Sequence, residues 1–271
     1  MLSIGVDEQQ GIWKTCLLED SLVLELSSFE NTASVLAYLE QTCATYPEPI
    51  MMISLDKGHW NAELLDRFLI AIDSMNLNSY TVPLLRSLPS LPSYRRLIRD
   101  NLGEAHVLCN VMTLLYRMRQ REATWQEMRF LFLETHGLAS NVAVIEDGYI
   151  VNGVTSILLD IRGQQKQDSH DADRDSEDEA FLEQLAQTLA GLLAVHHIED
   201  IVIIGARTSE VIAHFDGFYQ FYLFPQDAQE QAGYEAAIGA ALLAEGFYAP
   251  GIAAQVVERL QVAFVQSPTF S

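Results

Sequence analysis

The sequence predicts an α/β protein made of two βββαβα domains related by internal duplication. Short apolar runs alternate with amphipathic helical stretches, as expected of strands covered by helices. A three-strand meander with tight links occurs twice. An acid ends the first strand of each meander at the same offset along the chain.

Leu2 to Val6 reads as a short buried strand, followed by Gly11 to Leu18 and Leu22 to Leu26 across the turn Glu19-Asp20-Ser21. A helix is expected over Asn31 to Tyr46, with Val35, Leu36 and Leu39 on one face and Asn31 or Thr32 as its cap. Pro47 and Pro49 end it. Ile50 to Leu55 is apolar without alternation, the pattern of a parallel strand buried on both faces. Asn61 to Ile72 reads as a second helix. Ser79 to Asp100, with Pro83, Pro89 and Pro92, reads as an irregular connecting segment, and Gly103 to Arg121 as a long helix.

The first pattern then returns. Phe130 to Leu133, Val142 to Ile145 and Tyr149 to Val154 form a second meander with its turn at Asp147-Gly148. The segment Leu18 to Val23 registers on Ile145 to Ile150 at an offset of 127, and Asp7 registers on Glu134 at the same offset. A helix near Phe181 to His196 and a buried strand, Ile201 to Ile204, come next. Phe218 to Phe224 reads as an edge strand or loop, and two Ala-rich helices, Tyr234 to Glu245 and Gly251 to Val265, close the chain. The domains are expected at 1–125, including the arginine-rich helical segment, and 126–271, including an acidic loop at 164–179.

The 271 residues suit two domains at roughly 150 residues each. A hydrophobic share of 49% excludes a disordered chain. With 16 basic against 37 acidic residues the net charge is −21, which disfavours nucleic acid and anionic membrane surfaces as partners. The three cysteines lack C-x-x-C spacing and read as buried thiols of a cytoplasmic protein. The opening Met-Leu-Ser-Ile-Gly-Val-Asp has no basic residue and is not expected to be a signal peptide. No apolar run approaches the roughly 20 residues of a membrane-spanning helix.

Four local runs carry a resemblance. They are Ile4-Gly5-Val6-Asp7; Phe130-Leu-Phe-Leu-Glu134-Thr-His-Gly137; Ile201-Val-Ile-Ile-Gly205-Ala206-Arg207; and the Gly239-Ala-Ala helix that ends at Gly246. In this order they resemble the first phosphate, second phosphate and adenosine motifs, and the helix that follows, of the superfamily of actin, sugar and acetate kinases and heat-shock chaperone ATPases, the ASKHA fold. Asn101-Leu-Gly103-Glu-Ala105-His-Val-Leu-Cys109 and Glu146-Asp147-Gly148-Tyr-Ile-Val151-Asn-Gly153 are similar to segments of an uncharacterised prokaryotic family described as predicted butyrate kinases.

The resemblance implies two ribonuclease-H-like domains with ATP and Mg²⁺ in an interdomain cleft. It also implies phosphoryl transfer to a small anionic carboxylate or hydroxyl compound. Asp7 and Glu134 would then be both the catalytic and the metal-organising carboxylates, because phosphoryl transfer needs a carboxylate to hold hydrated Mg²⁺. Gly137, Gly205, Ala206 and Gly239 would line the nucleotide. Alternatively each acid is a turn-initiating or capping residue.

Where the superfamily places glycine and a hydroxyl after its aspartate, this chain has Glu8-Gln9-Gln10-Gly11. Where the predicted butyrate kinases carry Thr-Ala-Asp-Lys, it has Glu104-Ala105-His106-Val107. These departures favour a second reading, a catalytically degenerate relative acting as a nucleotide sensor or protein-interaction module.

Weaker candidates complete the set. The window Arg86 to Arg129 holds eight of the 16 bases, so Arg95, Arg96 and Arg99 are candidates for an anionic ligand or simply a solvated helix face. Lys14 is a candidate phosphate contact and His136 a candidate phosphate donor or an exposed loop residue. Asp171-x-Asp173-x-Asp175 lacks the glycine and glutamate of a calcium loop. His196-His197 with Glu199 suits a helix C-terminus better than a metal. A homodimer through the arginine-rich or C-terminal helices is the default oligomeric expectation.

Overall fold

The computed structural model describes residues 1–9, 11–55, 62–75, 77–98, 102–157, 172–225, 232–263 and 265–266. Gln10, Asn61, Arg99 and Asn101, together with 164–171 of the expected acidic loop, lie outside the described residues.

The first meander is β1 (Leu2–Gln9), β2 (Ile12–Glu19) and β3 (Leu22–Phe29). It is followed by α1 (Thr32–Thr45), β4 (Ile50–Leu55), α2 (Ala62–Ser74) and β5 (Asn78–Thr81). Asn31 caps α1, its side-chain oxygen accepting the Ser34 amide at 2.9 Å. After α3 (Ser93–Ile98) and α4 (Ala105–Gln120), the second meander is β6 (Phe130–His136), β7 (Ala139–Glu146) and β8 (Tyr149–Ile157). Then come α5 (Ala172–His196), β9 (Asp200–Gly205), α6 (Thr208–His214), β10 (Gln220–Leu223), α7 (Glu235–Tyr248), α8 (Ile252–Leu260) and β11 (Val265–Gln266).

The sheets run β11-β5-β4-β1-β2-β3 and β10-β9-β6-β7-β8. Apart from the added β11 they have one topology: an antiparallel meander whose first strand pairs in parallel with the strand after the next helix. This is the ribonuclease-H-like order, twice over.

The duplication extends to irregularities. The register shifts at Leu17/Leu18 in one meander and at Val144/Ile145 in the other, again 127 residues apart. The β2–β3 and β7–β8 turns each place two residues at positive φ: Asp20 at 48° and Ser21 at 65°, then Asp147 at 52° and Gly148 at 78°. That backbone matches the right-handed twist of the strands it joins.

The compact units differ from the expected halves 1–125 and 126–271. One unit comprises Met1–Ser90, Glu104–Thr124 and Pro225–Ser271; the other comprises Leu91–Gly103 and Trp125–Phe224. The physical reason is α7, buried from Glu235 to Gly246, which packs on β1 and α4. A Cβ on Gly5 would lie 1.9 Å from the Ala237 carbonyl oxygen, and one on Gly239 1.9 Å from that of Cys109. Glycine at both places lets strand and helices approach backbone to backbone.

In the first unit Ile4, Val6, Trp13, Val35, Leu39, Met51, Ile53 and Phe68 share one core with α1 and α2. In the second Leu131, Leu133, Val142, Ile201 and Ile203 share one with α5.

Other expectations are corrected. The acidic stretch from 172 to 179 is the start of α5, not loop: acids suit the positive end of a helix dipole as well as they suit solvent. Ser79 to Asp100 is not wholly irregular: it contains the end of β5, which follows the βββαβα pattern, and α3. Among the described residues no single helix is long and apolar enough to cross a membrane.

Candidate functional site

Asp7 lies on β1 and Glu134 on β6, each on the central strand of its sheet near the C-terminal end. They are 3% and 2% exposed. By strand alternation each points to the face opposite the core residues Ile4 and Val6, or Leu131 and Leu133. Ligands of open α/β sheets gather at the carboxyl ends of such strands.

Each carboxylate is held by the residue two positions on. Gln9 Nε2 donates to Asp7 Oδ2 at 2.9 Å, and His136 Nε2 stands 2.9 Å from Glu134 Oε1. Gln9 and His136 share the 127 offset, and so do the cross-strand neighbours Lys14 and Asn141. Asn141 Nδ2 donates to Glu134 Oε2 at 3.1 Å, while its own oxygen accepts Thr155 Oγ1 at 2.8 Å. Lys14 has diverged, its ammonium donating to the Gly233 carbonyl and lying 5.6 Å from the Tyr234 ring centroid. His136 is therefore a strand residue on Glu134, not a free loop donor.

Ser54 registers with Asp7 across the parallel β1–β4 pair. It is 1% exposed, and its hydroxyl has no hydrogen-bond partner among the described residues. A buried hydroxyl without a partner beside a buried carboxylate marks a place for a polar ligand or an ion. Carboxylate and hydroxyl oxygens are hard donors that suit a hydrated Mg²⁺, so this donor set fits the implied metal.

The segments that the resemblance implies as phosphate loops fit less well. Glu8 is not in an open loop: it lies on β1, one residue before its end, is 2% exposed, and its Oε1 accepts the Gly11 amide at 2.7 Å. The first hairpin thus directs a backbone N–H to its own carboxylate. Gly137, at φ 53°, begins the two-residue turn of the second hairpin, and its carbonyl accepts Arg207 Nη1 at 3.3 Å.

Gly205, at φ 118°, is where β9 meets β6, since a Cβ there would lie 2.1 Å from the Thr135 carbonyl oxygen. The next two amides stay on Thr135: Ala206 N donates to its carbonyl at 3.1 Å and Arg207 N to its hydroxyl at 3.3 Å. Arg207 also pairs with Asp178 at 2.7 Å and with Glu210, and stacks 4.1 Å from the Phe181 ring centroid. Of the expected nucleotide residues, Ala206 is exposed at a turn, and Gly239 is a packing glycine on buried α7.

Among the described residues, several of the clustered arginines are engaged by backbone carbonyls. Arg96, Arg117, Arg119 and Arg129 donate to the carbonyls of Leu91, Pro225, Ala123 and His196, fastening chain segments. His196, the last residue of α5, has Nδ1 2.6 Å from Glu146 Oε1 and Nε2 3.2 Å from Asn152 Nδ2, an arrangement of hydrogen bonds rather than metal ligation. Sequence reasoning missed Ser54, Gln9 and Asn141. Extending the 127 register past the acids pairs Gln9 with His136 and Lys14 with Asn141, and a serine near the end of an apolar parallel strand was itself a signal.

Residues 39–172 match the model of a family described as a protein of unknown function, DUF1464. No curated protein sequence matches the chain. Among solved structures, it is similar to the inorganic polyphosphate/ATP-glucomannokinase of Arthrobacter sp. strain KM, at 14% identity and TM-score 0.47 over 94% of this chain and 99% of that one. It is also similar to the activator of 2-hydroxyisocaproyl-CoA dehydratase from Clostridium difficile with bound ADPNP, at 10% identity and TM-score 0.46 over 95% and 96%. An exopolyphosphatase from Cytophaga hutchinsonii shows 11% identity and TM-score 0.46 over 80% and 72%. The strand order above, not these likenesses, defines the fold.

Proposed function

We propose that the chain is a kinase-like ASKHA protein that binds ATP with Mg²⁺ and transfers phosphoryl to a small carboxylate or hydroxyl compound. The observation that carries this reading is the pair of buried carboxylates, Asp7 and Glu134, at matching ends of duplicated central strands. Burying two acids is costly unless they are hydrogen-bonded and used. Gln9 orients Asp7; Asn141 and His136 orient Glu134. Asp7, with Ser54 beside it, would hold the metal or its water, and Glu134 would position a water or the acceptor. Bound Mg²⁺ supplies charge neutralisation at the phosphates.

A second reading has its own observation. The Gly11 amide is turned onto Glu8, so the hairpin that the resemblance implies as the first phosphate loop uses a backbone donor on its own carboxylate. A chain that binds nucleotide there weakly, or without transfer, would act as a sensor or interaction module. Measuring ADP release from ATP–Mg²⁺ with acetate, butyrate or hexoses decides between them. The first reading expects acceptor-dependent turnover that falls at least about 100-fold in Asp7→Ala, the scale of losing a group that acts in the transition state. Nucleotide binding with no acceptor-dependent turnover would overturn it in favour of the second.

A further inference from the structure

The second unit contains a cavity that the nucleotide reading does not use. It has a volume of about 420 Å³, within the usual range for small-molecule sites, and opens to solvent between α3, β8 and α5. Asn152 and Val154 line it from β8, and Thr188, Gly191, Leu192 and Val195 from α5. It therefore lies on the α5 side of the sheet, whereas Glu134 points to the opposite face.

Three features converge on it. The first is Arg95, from α3. Its Nη1 donates to the Val151 carbonyl at 2.6 Å and its Nε to the Tyr94 hydroxyl at 3.2 Å, which fixes the guanidinium at the cavity. In a chain with 37 acids, Arg95 has no carboxylate partner among the described residues.

The second is Asn152, 9% exposed. Its Oδ1 accepts the Gly153 amide at 3.0 Å, which sets the amide's orientation and puts Nδ2 3.2 Å from His196 Nε2. His196 is in turn fixed by Glu146, 2.6 Å from its Nδ1. Asn152 is thus a positioned donor in the cavity wall, with a second Nδ2 hydrogen beyond the one directed at His196.

The third is Gly191. Glycine inside a helix costs about 1 kcal/mol relative to alanine. Gly239 and Gly246 have a packing reason, since a Cβ on either would collide with a neighbouring carbonyl. Gly191 has none: a Cβ there would meet nothing within 4 Å. What the missing side chain leaves is space in the cavity.

We propose that this cavity binds an amphipathic monocarboxylate, with its head group at Arg95 and Asn152 and its apolar tail along Val154, Leu192 and Val195. The charge argument is specific. A chain of net charge −21 repels anions overall, so a carboxylate needs a local guanidinium free of acidic partners. The apolar wall selects a tail of several carbons, longer than acetate. This site is accessory to Asp7 and Glu134 and does not depend on nucleotide binding.

The test is calorimetric titration with sodium octanoate, with octanol and acetate as controls, on wild type, Gly191→Leu and Arg95→Gln. Thermal melts check the fold of each variant. Wild type is expected to bind octanoate saturably at about 1 mM or tighter, and octanol and acetate at least about tenfold more weakly. Gly191→Leu is expected to lose octanoate binding at least about tenfold while melting at or above the wild-type temperature, since leucine is the better helix former. Arg95→Gln is expected to bind octanoate as weakly as wild type binds octanol. Octanoate binding equal in wild type and Gly191→Leu, octanol binding equal to octanoate in wild type, or no saturable octanoate binding would each overturn the proposal.

Discussion

At the scale of single residues, the two acids and their neighbours separate what the sequence disclosed from what it hid. The positions of Asp7 and Glu134 near the ends of central strands were legible because each acid follows an apolar run and one register found both. The role of Glu8 was only half legible. Its charge could be read, but its capture of the Gly11 amide depends on how the hairpin closes. The packing role of Gly239 was hidden because a Gly-Ala-Ala run suits close packing and a nucleotide pocket equally, and the 1.9 Å approach of the Cys109 carbonyl shows only in the structure.

The cysteines give a prediction at this scale. Burial pushes the Cys16 thiol up to about 12 and raises Cys43 from its usual value. A raised thiol pKa means less thiolate, so at pH 8 only about one Cys16 in 10⁴ is ionised. Titration of the native protein with a disulfide reagent at pH 8 should show no fast reaction at Cys16, and all three thiols should react in guanidinium. Rapid native modification of Cys16 would mean that β2 is not buried as described.

At the scale of elements, strands were easier to read than their surroundings. Both meanders and their turns were legible because period-two patterns and tight turns are local. The start of α5 was not, since a run of acids serves a helix N-terminus and a solvated loop equally well. β5 was hidden by its brevity and by the prolines that follow it. Helical glycines yield a contrast in stability. Gly239→Ala forces a methyl onto the Cys109 carbonyl and should destabilise the α4–α7 contact by about 1–3 kcal/mol. Gly191→Ala meets no neighbour and should add up to about 1 kcal/mol. Denaturant melts of both variants measure this, and equal effects would contradict the packing account.

At the scale of the molecule, one ribonuclease-H-like unit was built twice and then diverged. The strand order recurs, and within the meander the bulge, the turn, the acid and its partner two residues on all recur at one offset. The return of α7 and α8 to the first unit was not legible. Their composition says that they are buried, but not against which sheet; Gly5 and Gly239 decide that through backbone contact.

The central claim is that the twin carboxylates still serve a metal–nucleotide site. Titration calorimetry with ATP, with and without Mg²⁺, on wild type, Asp7→Asn and Glu134→Gln tests it most directly. The account predicts Mg²⁺-dependent binding by wild type that weakens at least about tenfold in each variant, while both variants keep the wild-type fold because an amide fills the same space. Absence of binding at millimolar ATP–Mg²⁺, or binding indifferent to both substitutions, would contradict it.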